Sequence, residues 1–348
     1  MSAVPVGFGI VGLGMVADYH ARAIAATDGG RLVGVVSRSA EKARDFAARH
    51  GAVLATDQLG TLLARPDVSV VCIATPNGAH LEPAVAAARA GKHLVVEKPL
   101  EITLERADAI IAAAAAAGVR LAPIFQSRFG EGALALKRAV GEGRFGRLAL
   151  CSAYVKWQRT PAYYAGSWHG RVALDGGGVA MNQAIHAIDL LQWLAGMPVE
   201  VTATTGRCTH RGIEVEDTLA AVLRYPQGAM GTIEASTAVF PGWAQAIDLC
   251  GEHGSARLED DRLVRWDFRD ERPEDAARRA AAAGNTIRSG AAAPNAIGIE
   301  GHRRQIQNLI DALRGTQPLA LDGMEARKAV ALVRALYDSA ARHTAVRL

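Results

Sequence analysis

The sequence has little of what marks several large classes of protein. Its 4 cysteines, Cys72, Cys151, Cys208 and Cys250, are scattered and form no C-x-x-C pair. That spacing argues against a disulfide framework or a zinc ribbon and points to a reducing compartment. Neither sign of charge is in excess, since 39 Lys and Arg stand against 35 Asp and Glu, a formal +4. No basic run accompanies this small surplus, so nucleic acid is not an expected partner. The longest apolar run, Ala109 to Ala117, is too short to span a bilayer. No basic segment with an apolar one behind it precedes the first strand. These absences predict a cytoplasmic protein with no membrane partner. There are no internal repeats. Half of the 348 residues are hydrophobic, enough for two cores and therefore for two domains.

What the sequence does have begins at Val6. An apolar run to Val11 ends at Gly12-Leu13-Gly14-Met15-Val16-Ala17, and a helical pattern follows. This is G-x-G-x-x-A with a strand before it and a helix after it, the context a dinucleotide site needs. Gly12 permits the tight turn, Gly14 lets a pyrophosphate approach the backbone, and Ala17 lets helix pack on strand. The helix N-terminus offers free N–H groups to the phosphates. The second strand, Leu32 to Val36, ends in Ser37-Arg38-Ser39 with no carboxylate for the adenosine ribose. Ser37 and Arg38 suit a 2′-phosphate, which predicts NADP in preference to NAD. The alternative is that Arg38 stacks on the adenine and either cofactor binds.

Strands and helices then alternate to Ile124, with strands at Asp67–Ala74, His93–Val96 and Val119–Ile124. The expectation is an α/β Rossmann domain over residues 1–124, a doubly wound parallel sheet. Beyond it, five strand-like runs separated by turns predict an α+β domain over residues 125–348 with a large, mainly antiparallel open sheet. A clear helix within it spans Val179 to Leu194. Glu271 to Gly298, rich in Ala, Arg and Gly, reads as a mobile loop or a poorly fixed helix.

Three groups could carry chemistry. Lys98 follows a strand at the cofactor edge, in Glu97-Lys98-Pro99. There it could exchange a proton or polarise a substrate oxygen. A surface lysine paired with Glu97 fits the same letters. Asn182, His186 and Asp189 fall at i, i+4 and i+7, one face of a helix. His186 on that face suits proton transfer, with Asn182 orienting hydroxyls and Asp189 fixing the imidazole tautomer. A core histidine with satisfied hydrogen bonds is the competing reading, and the spacing matches no metal site. Gln126, Arg128, Lys156, Arg159, Tyr163, Tyr164, Trp168, His169 and Arg171 gather polar, aromatic and basic character suited to a sugar-like ligand with an acidic group.

These pieces together resemble the glucose–fructose oxidoreductase / inositol dehydrogenase / MocA (Gfo/Idh/MocA) family. The carrying residues are G-I-V-G-L-G-M-V-A-D-Y-H at Gly9 to His20, A-T-P-N-G-A-H at Ala74 to His80 and E-K-P-L at Glu97 to Leu100. In the second half they are G-G-G-V-A-M-N-Q-A-I-H-A-I-D at Gly176 to Asp189 and V-E-D-T at Val215 to Thr218. The resemblance implies hydride transfer between nicotinamide and a secondary alcohol or ketone of a sugar, sugar acid, glycoside or polyol. It places the catalytic roles on Lys98 and His186. It holds the nicotinamide near Thr75, Asn77, His80, Glu97 and Gln126, and implies a homodimer or homotetramer through the open sheet. The polyol enzymes often carry Asp where Asn182 stands, and W-H-G-R with L-D-G-G-G looks closer to relatives that oxidise C3 of nucleotide-linked or glycosidic sugars. Cleavage of a glycosidic bond by transient oxidation and a non-catalytic NADP-binding sensor are the other readings. The Lys98/His186 pair argues against the sensor.

Overall fold

The computed structural model describes residues 4–280 and 298–348. The expected loose segment falls largely on residues 281–297, outside the described residues. The chain divides into two compact units, Met1–Gln126 with Ile299–Arg327, and Ser127–Gly298 with Lys328–Leu348.

The first unit opens with β1 (Val6–Val11), α1 (Met15–Ala25), β2 (Gly30–Val36), α2 (Ala40–His50), β3 (Leu54–Thr56) and α3 (Leu59–Leu63). It continues with β4 (Val70–Ile73), α4 (Leu81–Arg89), β5 (His93–Val96), α5 (Leu104–Ala116) and β6 (Leu121–Pro123). The strands are all parallel, in the order β3-β2-β1-β4-β5-β6. The order reverses between β1 and β4, the point beyond whose carboxyl ends ligands bind in such sheets. V-G-F-G-I-V in β1 is apolar without alternation because both faces of a central parallel strand are covered. Helix ends follow the local chemistry. Ser39 caps α2 by accepting from the Lys42 N–H at 3.2 Å, and Thr103 caps α5 by accepting from Arg106 N–H at 3.3 Å.

The second unit contains α6 (Glu131–Gly141), β7 (Leu148–Lys156), α7 (Pro161–Tyr164), α8 (Val172–Asp175), a π-turn at Val179–Gln183 and α9 (Ile185–Ala195). Then come β8 (Glu200–Gly206), β9 (Thr218–Arg224), β10 (Met230–Ser236), β11 (Ala246–Gly251), β12 (Gly254–Glu259), β13 (Arg262–Phe268) and α10 (Pro273–Ala280). With β14 (Val346–Arg347) the strands form a sheet ordered β13-β12-β11-β7-β10-β9-β8-β14. Every pairing is antiparallel except β7 with β10. Burial alternates along β9 and β10, so one face is covered and one is open. α9 is buried along nearly its whole length and packs on β7 and β11. On the open face Leu150, Val222 and Met230 are 51%, 50% and 54% exposed.

Two late helices complete the chain, α11 (Glu300–Leu313) and α12 (Gly323–Arg342). α11 belongs to the first unit, where Ile306, Leu309 and Ile310 enter the core with Ala17, Ala21 and Ile24 of α1. Among the described residues no helix is long and apolar enough to cross a membrane.

Candidate functional site

In the first unit the residues at the carboxyl edge of the sheet form a connected set. Gly12 has φ +89°, and a Cβ there would meet the Ala74 carbonyl oxygen at 2.7 Å, so only glycine fits. A Cβ on Gly14 would meet nothing within 4 Å, which leaves room for a phosphate above the loop. Gly14 is also the N-cap of α1 and makes no side-chain cap, so the first N–H groups of an eleven-residue helix stay available. Leu13, Met15 and Val16 contribute backbone to the same turn. Gln126 is buried, and among the described residues its Oε1 has no hydrogen-bond partner. These features fit a bound dinucleotide.

Glu97 sits at the end of β5 in a dry cluster. His20 donates from Nε2 to Glu97 Oε1 at 2.7 Å, and His302 Nε2 lies 3.6 Å from the same oxygen. Lys98 N–H donates to Glu97 Oε2 at 3.1 Å. Burial raises the Glu97 carboxyl, but hydrogen bonding and charge from His20 and His302 outweigh it and hold Glu97 well below the usual carboxylate range. Burial opposes the charge on His20, yet the neighbouring Cys72 and the hydrogen bond to Glu97 outweigh it and raise the imidazole to about 10. His302 goes the other way: burial, with His20 and Lys98 nearby, lowers it despite Glu97. These surroundings favour an ionised Glu97 beside a charged His20 and oppose charge on His302. Among the described residues these three also form the one group whose potential metal-ligand atoms lie within 4.8 Å of one another, but the short His20–Glu97 hydrogen bond already fills that space with a proton.

His80 differs from the expectation that it touches the nicotinamide. Its ring is fully buried, with Nδ1 3.0 Å from the Pro99 carbonyl and Nε2 3.0 Å from the Thr75 carbonyl. It ties together the loops that carry Thr75 and Lys98. Thr75 itself donates to the Ala79 carbonyl at 2.8 Å.

In the second unit the π-turn changes the helical spacing that the sequence suggests. Ala184 N–H reaches back to the Val179 carbonyl at 2.7 Å, and α9 starts only at Ile185. Asn182 therefore sits before the helix that carries His186. The turn is held from outside. Gly178 and Ala180 N–H donate to the Glu216 carboxylate at 2.9 and 3.0 Å, and Tyr337 OH donates to it at 2.8 Å. A Cβ on Gly178 would sit 1.7 Å from the Glu216 carbonyl oxygen, so the G-G-G run is a close backbone approach. The neighbouring Asp217 accepts from Cys208, Thr209 and His210 N–H, each at 2.8 Å. The V-E-D-T letters are thus a scaffold for two loops.

Asn182, Gln183, Tyr163, Trp168 and His169 come together. Asn182 Nδ2 donates to buried Asp175 at 2.6 Å, and Gln183 Nε2 donates to Tyr163 OH at 3.1 Å. His169 lies 4.3 Å from the Tyr163 ring and stacks on Trp168 at 4.0 Å. Burial, with the Asp175 charge added, raises the Tyr163 phenol and keeps it protonated. Two expected ligands lie elsewhere. Arg128 is buried in a two-pronged ion pair with Asp189, both contacts 2.7 Å, and its guanidinium lies 5.3 Å from the Trp193 ring centre. Both Asp189 oxygens thereby accept from Arg128. Lys156 pairs with Glu234 at 2.9 Å between the Tyr154 and Trp243 rings. Strand alternation puts Lys156 on the open face of the sheet, opposite α9. Sequence reasoning missed His302 and Asp175, whose signal is only a buried partner distant in sequence, and passed over His20 as a motif letter.

A parallel doubly wound unit with this glycine turn is a dinucleotide-binding architecture. Residues 6–125 match the oxidoreductase family model with an NAD-binding Rossmann fold, and residues 133–257 match a GFO/IDH/MocA C-terminal domain. The 1,5-anhydro-D-fructose reductase of Ensifer adhaerens is 32% identical over 225 residues, 64% of this chain and 67% of that protein. The WlbA dehydrogenase of Bordetella pertussis, solved with NADH and UDP-GlcNAcA, is 33% identical over 99% of both chains with a TM-score of 0.87. WlbA of Chromobactrium violaceum, solved with the same two molecules, is 30% identical over 100% of this chain and 97% of that one, at 0.89. The chain belongs to the Gfo/Idh/MocA oxidoreductase family, NAD(H)-dependent enzymes of sugar and polyol CH–OH groups.

These relatives overturn the expectation of NADP, because both WlbA structures hold NADH. The local geometry gives the reason. The Ser37 hydroxyl accepts from Ser39 N–H at 3.3 Å within the β2–α2 turn, and Arg38 is exposed. A solvent-exposed guanidinium gains little from pairing with a 2′-phosphate.

Proposed function

We propose that the protein oxidises a secondary ring hydroxyl of a nucleotide-linked sugar acid, with NAD as acceptor. The first unit binds the cofactor, and the second binds the substrate and carries the subunit interface. The observation that carries this reading is the end-to-end likeness to two dehydrogenases solved with NADH and UDP-GlcNAcA. The amide and aromatic cluster around Asn182 and Tyr163 supports it, being suited to a sugar ring with several hydroxyls.

The nicotinamide, when bound, accepts the hydride. Lys98 stabilises the alkoxide that forms as the hydroxyl loses its proton. Ionised Glu97 fixes the Lys98 backbone through the 3.1 Å bond to its N–H. His186 takes the hydroxyl proton. Asn182, Tyr163, Trp168 and His169 orient the sugar.

The exposed Leu150, Val222 and Met230 on the open sheet face support a homodimer or homotetramer through that face. The test of the function is NADH formation from NAD by purified protein with UDP-GlcNAcA, beside neutral sugars and polyols. Turnover confined to neutral polyols rejects the nucleotide-sugar reading.

A further inference from the structure

Asp175 closes α8 and is 2% exposed, and both its oxygens accept N–H bonds. Oδ1 accepts from Asn182 Nδ2 at 2.6 Å and Oδ2 from Gly170 N at 2.7 Å. A carboxylate only accepts, so the amide of Asn182 must turn its NH2 toward Asp175 and its carbonyl oxygen away from it. The π-turn holds this amide in the same five-residue segment as Gln183, which is tied to Tyr163. A carboxylate at position 182 would stand against Asp175, and the two would have to share a proton. The arrangement therefore keeps one negative charge in the interior and a neutral group in front of it.

We propose that Asp175 is a positioning residue that sets Asn182 as a neutral hydrogen-bond acceptor for a substrate hydroxyl, so that an anionic sugar meets no carboxylate at this contact. The inference rests on the reading of Asn182 as a substrate contact. It adds a reason why the site accepts a substrate bearing a carboxylate or a diphosphate. The charged and titratable groups around the pair include Tyr163 and Tyr164, which both feel Asp175, Arg159 over the Tyr163 ring, and His169 against it.

The test compares wild type with Asp175→Asn, Asn182→Asp and the double exchange. Thermal unfolding, NADH affinity, and kcat and KM against UDP-GlcNAcA and a neutral sugar from the same panel are measured. Asp175→Asn keeps an acceptor for Gly170 but sets amide against amide, and it lowers kcat/KM by roughly 10- to 100-fold with NADH affinity retained. Asn182→Asp lowers thermal stability at neutral pH and recovers part of it in acid, where the pair takes up a shared proton. The double exchange restores the hydrogen bond with its direction reversed, so thermal stability recovers. Its KM for the anionic substrate stays raised roughly tenfold or more, because the charge now faces the sugar.

A double exchange that restores full turnover of the anionic substrate shows a purely structural pair and overturns the proposal. So does an Asp175→Asn enzyme with wild-type kinetics, or a double exchange no better than the single variants in thermal stability. If Asp175→Asn fails to fold, the double exchange decides. If wild type oxidises only neutral sugars, the nucleotide-sugar reading falls by itself. The pair is then judged by whether Asp175→Asn lowers turnover of the sugar that is used and the double exchange restores thermal stability.

Discussion

At the scale of single residues the charged side chains divide by what surrounds them. Arg128 and Asp189 are buried and mutually hydrogen-bonded, so Asp189→Asn removes one partner of a dry pair. The expected loss is about 3–5 kcal/mol of stability, read from denaturant unfolding. Lys156→Met removes an exposed pair with Glu234, and its expected cost is about 1 kcal/mol or less in the same assay. Lys98→Met should lower kcat by about 10²- to 10⁴-fold while NADH still binds, checked by turnover beside fluorescence titration. Residue types revealed less than residue neighbours. Lys98, Asn182 and the glycine turn stood out in the sequence because short-range context surrounds each of them. Arg128 and Lys156 were misplaced because a basic residue in a polar, aromatic stretch looks alike whether it faces a ligand, a buried carboxylate or an open sheet. Only the partner 61 residues away separates these cases for Arg128.

At the scale of elements, apolar runs and glycine stops located β1, β5 and α2 closely, since buried parallel strands and left-handed C-caps leave strong local marks. β3 and α3 carried too few residues for a period to show. The β12–β13 hairpin turns at Asp260 with φ +51°, where no glycine announces it. The π-turn was invisible because one extra residue in a helical pattern leaves the composition unchanged. The cluster joining α1, β5 and α11 has a pH signature. The raised imidazole of His20 adds stability that is full below its ordinary value near 6.5 and is lost as pH rises toward about 10. The lowered carboxyl of Glu97 adds stability that is present above its ordinary value near 4.5 and is lost as pH falls through its depressed one. The lowered imidazole of His302 subtracts stability as pH falls below its ordinary value near 6.5, so stability from this cluster should be greatest near pH 6.5. His20→Asn should flatten the alkaline decline in a series of melting temperatures across pH. An unchanged alkaline slope in that variant would place the effect elsewhere.

At the scale of the whole molecule, Met230→Glu on the open sheet face should shift a homo-oligomer toward monomer in sedimentation while leaving the far-UV spectrum intact. A variant that sediments like wild type would assign that apolar surface another role. The two-part organisation was legible from the change of pattern after residue 124, because parallel and antiparallel sheets write different rhythms. The return of residues 299–327 to the first unit was not, since an amphipathic helix carries no mark of which core it joins. That return has a consequence for how the protein is made. Gln305 bonds the Pro123 carbonyl and the Phe125 N–H, and His302 stands against Glu97. A ribosome finishes β6 long before it delivers either side chain. The core of the nucleotide-binding unit is therefore completed only after residues 127–298 of the other unit have been synthesised.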